Sequence, residues 1–319
     1  MDALTRLEIE HEVWLDDPGD EFQRRARLLQ AIWREERGYP IGRYTPRGHD
    51  ERTMGSLLEM PWARESLANY LTEGIRQIVH AEVLGPDRNR QKVYKPPRIF
   101  DNLLSSQPLC FNLAGELRRD LGLATKVFRD LMGEVVHEVT RIEFEHSPGR
   151  RSPRYTNDGS AFDVFVEFDT PSGRSGFVGI EAKYHEPIKQ DDDRYKDLYA
   201  QRALEIGCFA PDRFADLRKS RLQQVWRDHL LAGAMMVADR YETGTFVIVR
   251  PRGNIAWADA VADYRDCLTN EDTFGEWMLE DVVAALRRHT DAEWVEAFHD
   301  RYLAFEKVDA ELAAASRHD

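Results

Sequence analysis

The order of the predicted elements indicates an α/β fold, with a central β-sheet flanked by helices and helical extensions at both ends of the chain. Three observations support this. Residues 161–184 form two apolar runs separated by a turn that contains Pro171 and Gly173, which predicts a hairpin. Strand patterns at 139–145 and 246–250 lie on either side of this hairpin. Segments with apolar residues at helical spacing surround and separate the strands.

The chain has 319 residues, of which 42% are hydrophobic, so it can bury one large core or two smaller ones. We predict three regions. The first is a helical N-terminal region over 1–98, the second is an α/β core over 99–255, and the third is an acidic helical C-terminal region over 256–319.

In the N-terminal region, apolar spacing predicts helices over 1–38 and 62–84. Gly38 and Pro40 end the first helix, and we expect residues 39–55 to form a connecting loop. A basic stretch follows at 88–98 and ends beside the helix-breaking pair Pro96-Pro97.

In the core, helices are predicted over 105–122 and 124–138, followed by the strand over 139–145. A second basic stretch, 150–154, lies in the loop that leads into the hairpin. After the hairpin, the charged segment 186–197 is expected to enter a helix over 194–206. A long helical region over 212–238 precedes the strand at 246–250, and helices are predicted at 256–268, 276–288 and 291–315.

The predicted hairpin carries Asp163 on its first strand and Glu181 and Lys183 on its second. If the turn centres on Gly173, Asp163 faces Lys183 and Glu181 is its diagonal neighbour, roughly 7–8 Å away at the backbone. Charges buried on such strands cost several kcal/mol each unless they are paired or bound to metal. Two interpretations follow: a site for a divalent metal ion and a water nucleophile, or a charge cluster that only fixes the strand register.

The net charge of −13 is unevenly distributed. Residues 259–319 contain sixteen acids and six Lys or Arg, a balance of −10, which leaves −3 for the preceding 258 residues. A local positive field can attract a phosphate backbone whatever the total charge. The overall acidity therefore does not exclude a nucleic-acid ligand for the two basic stretches, although both could also be solvated loops.

Other functional classes receive no support. No apolar run reaches the 18 or more residues that span a bilayer, and the charged N-terminus does not predict a signal peptide. Three distant cysteines provide neither a zinc pattern nor a disulfide framework, so a reducing cytoplasm is expected. Because no Gly-x-x-x-x-Gly-Lys sequence occurs, an ATP site in this chain is not expected.

Asp163 with Glu181-Ala182-Lys183 resembles the motif of the PD-(D/E)XK nuclease superfamily, which has the fold of type II restriction endonucleases. The usual Pro before the Asp is replaced by Phe162. Segments 105–113, 179–186 and 223–230 also resemble, in the same order, those of a restriction-endonuclease-like bacterial group. The resemblance covers roughly residues 100–250 and implies that the central sheet is mixed.

The resemblance implies roles for individual residues. Asp163, Glu181 and the backbone carbonyl of Ala182 would bind Mg²⁺, or Mn²⁺, and Lys183 would orient or help deprotonate the attacking water. A further acid on a preceding helix is expected. Glu116 is the candidate, with Glu134 or Glu138 as alternatives, and Glu116 could equally be a surface acid paired with Arg119.

On the helix after the hairpin, Gln224 or Gln223 would contact the metal shell or the phosphate. Arg227 could clamp a phosphate, whereas Trp226 is expected in the core. His185 would share a face with Lys183.

Together these features predict an Mg²⁺-dependent deoxyribonuclease in bacterial restriction, antiviral defence or DNA repair, acting as a homodimer or with a partner protein. DNA would bind through the basic stretches 88–98 and 150–154. The alternative is a catalytically inactive module of the same fold that binds DNA or protein. RNA cleavage, and the choice between endonuclease and exonuclease, remain open.

Overall fold

The computed structural model describes residues 2–45, 50–186, 188, 195–218 and 220–318. Its strands are β1 (Ile41–Tyr44), β2 (Arg52–Leu58), β3 (Glu138–His146), β4 (Phe162–Asp169), β5 (Ser175–Ala182), β6 (Thr243–Arg250) and β7 (Phe274–Met278). Its α-helices are α1 (Ala3–Glu10), α2 (Glu21–Glu36), α3 (Trp62–Ser66), α4 (Glu73–Val79), α5 (Arg98–Asp101), α6 (Ser106–Arg119), α7 (Leu121–Met132), α8 (Asp197–Ile206), α9 (Phe214–Leu217), α10 (Ser220–Asp239), α11 (Ile255–Arg265), α12 (Leu279–His289), α13 (Glu293–Tyr302) and α14 (Phe305–Ala315).

A five-stranded mixed sheet in the order β3-β4-β5-β6-β7 forms the centre. Strands β3, β4 and β5 are antiparallel neighbours, and β5, β6 and β7 run parallel. Parallel neighbours need a crossover, which α8, α9 and α10 provide between β5 and β6. The predicted α/β fold with a flanked central sheet is confirmed.

Both faces of the sheet are covered by helices, because apolar residues occupy both sides of its inner strands. One face, which includes Val166 and Val178, packs against α6, α7 and α12. The other face, which includes Phe165 and Phe246, packs against α8, α10 and α11. Burial of each such side chain contributes about 1.5–3 kcal/mol, so the two layers fix the ends of the strands on which the site lies.

The N-terminal region departs from the prediction at several points. The single helix predicted over 1–38 is two helices, α1 and α2, and Asp20 caps the second. The loop predicted over 39–55 contains the antiparallel pair β1 and β2, while residues 46–49 lie outside the described part. The helix predicted over 62–84 is interrupted after Ser66, where Leu67 adopts a left-handed conformation with φ of 50°.

The predicted C-terminal region is not helical throughout. The helix predicted over 276–288 begins as β7, and α12 starts at Leu279. Phe274 is buried against Phe246 with ring centroids 6.1 Å apart, so this segment adds a strand to the central sheet. The boundary predicted at residue 255 therefore passes through a layer that is continuous in the structure.

A buried arginine joins the two ends of the chain. Arg301 is fully buried and donates to the backbone carbonyl of Asn69 (2.6 Å) and to Oε1 of Gln30 (3.3 Å). Its guanidinium also lies 4.4 Å from the ring centroid of Trp33. Because a buried charge requires such partners, Arg301 fixes the N-terminal helices against α13.

Part of the charged segment predicted at 186–197 lies outside the described residues, and α8 begins at Asp197 rather than at 194. None of the described helices has the length and apolarity that a bilayer-spanning segment needs.

His229 provides a test of this core through pH. It is fully buried in α10, with Nδ1 2.9 Å from the hydroxyl of Tyr264 and Nε2 2.8 Å from that of Thr273. Burial lowers the pKa of His229 to about 3. Since its pKa in the unfolded chain is higher, near 6.5, its contribution to stability is complete above that value and is lost as the pH falls toward 3.

We therefore expect His229→Gln to weaken the loss of stability between pH 7.5 and pH 5.5. Removing one such titration changes the difference in unfolding free energy between these pH values by about 1.4 kcal/mol. Urea denaturation of both proteins at both pH values measures this quantity. Comparing the two proteins cancels the titrations that they share, and an identical pH dependence in both would contradict the assignment.

Candidate active site

The hairpin closes through a turn over 170–174. The N–H of Gly173 donates to the carbonyl of Thr170 (2.9 Å), and the N–H of Thr170 donates to the carbonyl of Arg174 (2.8 Å). Gly173 has φ of 79°, a left-handed conformation that favours glycine. Pro171 and Gly173 thus occupy the second and fourth positions of a turn that starts at Thr170. The centre of the loop is Ser172.

The strand register differs accordingly from the predicted one. Val164 pairs with Ile180, and continuing this register by one residue places Asp163 opposite Glu181. The prediction that Asp163 faces Lys183 is wrong by two residues, because Gly173 ends the turn instead of lying at its centre. A shift of two residues does not exchange the faces of a strand, so the hairpin still brings the two carboxylates together.

The start of β4 is also displaced from the predicted alternation. The ring of Phe162 packs near Phe165, with centroids 6.3 Å apart, and covers Gly179. A Cβ at Gly179 would lie 2.6 Å from this ring, so the position before Ile180 and Glu181 requires glycine. Simple alternation along residues 161–169 predicts that Phe162 shares a face with Val164, and the structure differs at this point.

Asp163 lies where β4 begins and β5 ends. Its Oδ2 accepts a hydrogen bond from the backbone N–H of Ala182 (3.0 Å). Burial raises the pKa of Asp163 well above its usual value, and the negative charges of Glu181 and Glu145 raise it further. The carboxylate is therefore placed where a positive charge would stabilise its ionised form.

Glu181, Lys183 and Gln224 form a closed group of hydrogen bonds. Nζ of Lys183 donates to Oε1 of Glu181 (2.6 Å) and to Oε1 of Gln224 (3.1 Å). Nε2 of Gln224, on α10, donates to the same Oε1 of Glu181 (2.7 Å). Only 7% of Glu181 and 6% of Lys183 are exposed. The sheet end and α10 thus hold these side chains in one arrangement.

Lys183 is also surrounded by groups that favour its charged form. Burial alone would lower its pKa, but the carboxylates of Glu181, Asp163 and Glu186 together raise the pKa of Lys183 above its usual value. The ring of Trp257, on α11, lies 4.8 Å from Nζ. Lys183 is therefore a protonated donor in this structure.

The donor set fits a hard divalent cation. The hydrogen bonds described above reach Oδ2 of Asp163 and Oε1 of Glu181. Within the described residues, no donor contacts the second oxygen of either carboxylate, Oδ1 of Asp163 or Oε2 of Glu181. In a strand the N–H and C=O of one residue point to the same side, so the carbonyl of Ala182 is directed toward the strand that carries Asp163. These are three oxygen ligands of the type that Mg²⁺ prefers.

No set of three or more His, Cys, Asp or Glu side chains in the described part of the chain is arranged to hold a metal ion. An ion bound by Asp163 and Glu181 would therefore rely on the Ala182 carbonyl and on water for its remaining ligands, as Mg²⁺ commonly does.

Glu145 is a nearby carboxylate that the sequence analysis did not single out. It lies in β3 between the pairs Phe144–Val164 and His146–Phe162, and hence opposite Asp163. Its carboxylate binds Arg150 at 2.5 Å, and burial raises its pKa. The sequence pattern predicts that residues 139–145 form a strand. Only the pairing of β3 with β4 shows that Glu145 lies beside Asp163.

Glu186 anchors the segment after the motif. It accepts hydrogen bonds from Arg98 (2.9 Å) and from the backbone N–H of Ser106 (3.0 Å) at the start of α6. The adjacent His185 is held by Gln23 of α2, which donates to its backbone carbonyl (3.0 Å). Burial lowers the pKa of His185 to about 4. The recorded contacts of His185 are thus with α2 and with Glu186 rather than with Lys183.

Glu116 is not brought to this group. Its carboxylate binds the hydroxyl of Thr72 and Nη1 of Arg119 (2.9 Å) beside α4. The geometry of α6 explains why Glu116 points away from the site. Gln107, near the start of this helix, contacts Glu145 (3.5 Å) and so marks the side that faces the site. Glu116 follows nine residues later, which places it about half a turn away, on the opposite side of the helix. The surface alternative for Glu116 is the one that the structure favours.

The alternatives to Glu116 are also distant. Glu138 pairs with Asp169, six residues along β4 from Asp163, or about 20 Å. Glu134 lies just before β3, near the same end of the sheet.

On α10, Gln224 rather than Gln223 makes the recorded contacts with Glu181 and Lys183, and Gln223 is 1% exposed. Trp226 is fully buried among aromatic rings, which confirms its prediction as a core residue. Arg227 lies on the same helix, and its role in binding phosphate stays a prediction.

The two basic stretches meet beside the site. Lys92 of the first and Arg150 of the second line one cavity of about 190 Å³, together with Glu145. A larger cavity of about 520 Å³ lies between the starts of α2, α11, α12 and α14 and contains none of the hairpin residues. Although this cavity is larger, we do not identify it as the active site, because Asp163, Glu181 and Lys183 do not line it.

Comparison with known proteins agrees with this geometry. The family model of the PD-(D/E)XK nuclease superfamily matches residues 16–304, nearly the whole chain. No curated protein and no solved structure gives a significant match. The match extends beyond the residues 100–250 that carry the motif resemblance, in agreement with a core to which both ends of the chain contribute. The chain therefore belongs to the PD-(D/E)XK nuclease superfamily.

Proposed function

We propose that this protein is a divalent-metal-dependent nuclease that hydrolyses DNA phosphodiester bonds. Membership in the superfamily indicates a nuclease-type function. The observation that carries the proposal is the closed group of Glu181, Lys183 and Gln224 beside Asp163. It combines two carboxylates, a carbonyl oxygen and a protonated amine in one buried position.

In this proposal Asp163, Glu181 and the carbonyl of Ala182 hold Mg²⁺ or Mn²⁺. The bound ion would supply an activated water at neutral pH and would neutralise charge on the phosphate. The Ala182 N–H fixes one oxygen of Asp163, and Gln224 and Lys183 fix one oxygen of Glu181. The remaining oxygen of each carboxylate is thereby oriented for binding.

Lys183 acts in the proposal as a donor. An ammonium group has three N–H donors, and Glu181 and Gln224 accept two of them. The third can orient the attacking water or donate to a phosphate oxygen. Because the Glu181 carboxylate raises the pKa of Lys183, proton abstraction by a neutral Lys183 is the less favoured of the two roles considered for it.

DNA is the proposed substrate, and bacterial restriction, antiviral defence or DNA repair is the proposed setting, on the basis of the restriction-endonuclease-like motif. The basic stretches beside the site supply charges that can bind phosphates. A single group of this kind cleaves one strand at a time, so a second copy of the chain is the proposed means of cutting both strands.

The first prediction concerns activity. Purified protein with Mg²⁺ or Mn²⁺ should cleave linear, circular or single-stranded DNA, and Lys183→Met should lower the rate at least about 100-fold through loss of the donor. Cleavage is measured on labelled DNA, with RNA of the same sequence in parallel.

Lys126→Met is the matched control, because Lys126 is exposed on α7. Circular dichroism should show folded protein for both variants. The proposal fails if the wild type cleaves no nucleic acid in either metal, and also if Lys183→Met is as active as the wild type.

The second prediction concerns metal binding. Asp163→Asn keeps an oxygen that can accept from Ala182 but removes the negative charge, so its affinity for Mn²⁺ should fall at least about tenfold. Isothermal titration calorimetry without nucleic acid measures this directly. Asp169→Asn, at the other end of β4, should bind as the wild type does. Equal affinities in all three proteins would exclude Asp163 as a ligand.

The third prediction compares Gln224 on α10 with Glu116 on α6 as contributors to the rate. Gln224→Ala removes the hydrogen bonds of Gln224 with Glu181 and Lys183 and leaves the pair Lys183–Glu181. We expect a loss of about 1–3 kcal/mol, or roughly fivefold to 150-fold in rate. Glu116→Gln should change the rate less than about twofold, since Glu116 binds Thr72 and Arg119. Initial rates at saturating DNA measure both effects. The opposite ranking would return Glu116 to the site and remove Gln224 from it.

A further inference from the structure

The cavity of about 190 Å³ at the end of β3 has no role in the chemistry described so far. An inference about it rests on the proposed nuclease function and adds a subsite to it. Glu145 lies in the cavity wall and, by the pairing of β3 with β4, lies opposite Asp163. Neighbouring strands are about 4.8 Å apart, so the cavity starts beside the metal-binding carboxylates.

Three basic side chains line this cavity: Lys92, Arg141 and Arg150. Lys92 binds Glu82 (3.0 Å), and Arg141 binds Glu143 (2.6 Å) and Glu167 (2.5 Å). These two charges are therefore already compensated by carboxylates. Arg150 differs because its acidic partner is Glu145, the residue that separates the cavity from Asp163.

Arg150 is held from two sides. Its Nη2 donates to Glu145, and its Nη1 donates to the backbone carbonyl of Gly159. A guanidinium has five N–H donors in a fixed plane, and these two contacts leave donors for an anion, as far as the described residues show. With 17% of the side chain exposed, the guanidinium is both fixed and reachable from the cavity.

We propose that this cavity is a subsite for a nucleic-acid phosphate adjacent to the one that is cleaved, with Arg150 as its contact and Glu145 as the positioning residue. A planar guanidinium matches a phosphate with two parallel hydrogen bonds. Contacts of this kind fix the register of the nucleic acid without reading its sequence. The pairing of Glu145 with Arg150 thus aligns the strand so that the scissile phosphate meets Asp163 and Glu181.

The conformation of Glu145 supports a positioning role. Its φ is 49°, left-handed for a residue with a side chain inside a strand. The same deviation turns the end of β3, since His146 stacks on Phe165 with ring centroids 4.0 Å apart. Left-handed backbone at a residue with a side chain costs energy and is found preferentially at functional sites.

The test measures binding separately from cleavage. A short fluorescein-labelled DNA oligonucleotide is titrated in EDTA, with fluorescence anisotropy as the readout, at several salt concentrations. Arg150→Ala should weaken binding about tenfold and lower the slope of log K against log salt by about 0.7–0.9, the value for one lost phosphate contact. A smaller fraction of folded protein lowers the apparent affinity but leaves this slope unchanged, because the slope depends on the contacts that each bound molecule makes.

Arg174→Ala is the matched control because it removes one positive charge at the hairpin turn, where Arg174 is 67% exposed and pairs with Glu242. This turn lies about 25 Å along β5 from the site. The control should keep the wild-type slope. Equal slopes for Arg150→Ala and Arg174→Ala would overturn the subsite.

Glu145→Gln tests the positioning role, because the amide keeps a hydrogen bond to Arg150 but loses the charge. KM for DNA should rise about tenfold while kcat changes less than about twofold. Because the charge of Glu145 lies near Asp163, its removal should lower the affinity for Mn²⁺ by less than about threefold. A loss of about tenfold or more, as expected for Asp163→Asn, would make Glu145 a metal ligand and overturn its assignment. If Arg150→Ala fails to fold because Glu145 is left unpaired, the double variant Glu145→Gln, Arg150→Ala removes both charges, and its salt slope is compared with that of Glu145→Gln.

A second chemical readout uses the substrate. Oligonucleotides that carry one neutral methylphosphonate at successive positions should show one position where the wild type loses affinity and Arg150→Ala does not. An oligonucleotide set with no such position would overturn the inference while leaving wild-type cleavage, and hence the proposed function, intact. Absence of both binding and cleavage in the wild type would overturn both.

Discussion

Electrostatic repulsion between Asp163 and Glu181 is the constraint on which the site depends. The hairpin register places them opposite each other, and burial makes their negative charges costly. Glu145 adds to that cost, and three neighbouring donors offset it in part. The Ala182 N–H, the Lys183 ammonium and the Gln224 amide each donate to one of the two carboxylates. A divalent cation between them, as proposed above, would offset it further.

Much of the fold followed from periodicity, because strands and helices leave different apolar spacings. The β4–β5 hairpin, the strands β3 and β6, and the helices α6, α7 and α10 all lie close to their predicted positions. Strand β7 was missed because its five residues, Phe274–Met278, continue directly into α12 and have too few alternations to distinguish them from a helix. Strands β1 and β2 were missed because the Gly- and Pro-rich composition around them is typical of a loop.

The site was predictable where it depended on contacts within one hairpin and unpredictable where it depended on other elements. Asp163 and Glu181 are neighbours because of the turn between their strands. Pro171 in the second position and Gly173 in the fourth specify this turn, and the register follows from them. Glu145 becomes visible only when β3 is paired with β4. The contacts of Glu116 with Thr72 and Arg119 follow from the rotation of α6, and its local sequence is compatible with both a surface and a site position.

Both ends of the chain contact the residue that follows Lys183. Tyr184, next to Lys183, donates to the backbone carbonyl of Tyr302 (3.2 Å) and accepts from Gln30 (3.2 Å). Gln30 in turn contacts the buried Arg301. A shift of α2 or α13 would therefore move the residue that follows the motif lysine.

Some of the acidic C-terminal residues form ion pairs with the N-terminal part of the chain. Asp309 pairs with Arg25 (2.6 Å) and Asp300 with Arg37 (3.1 Å), so arginines in α2 and at its C-terminal end compensate acids of α14 and α13. Exposed pairs of this type add little stability individually. They do bring part of the acidic excess next to positive charges along α2. The basic stretches lie beside Glu145, at the end of β3. Since fields between exposed charges are screened within about 8–10 Å at physiological salt, the acids that pair with Arg25 and Arg37 act mainly on their immediate neighbours.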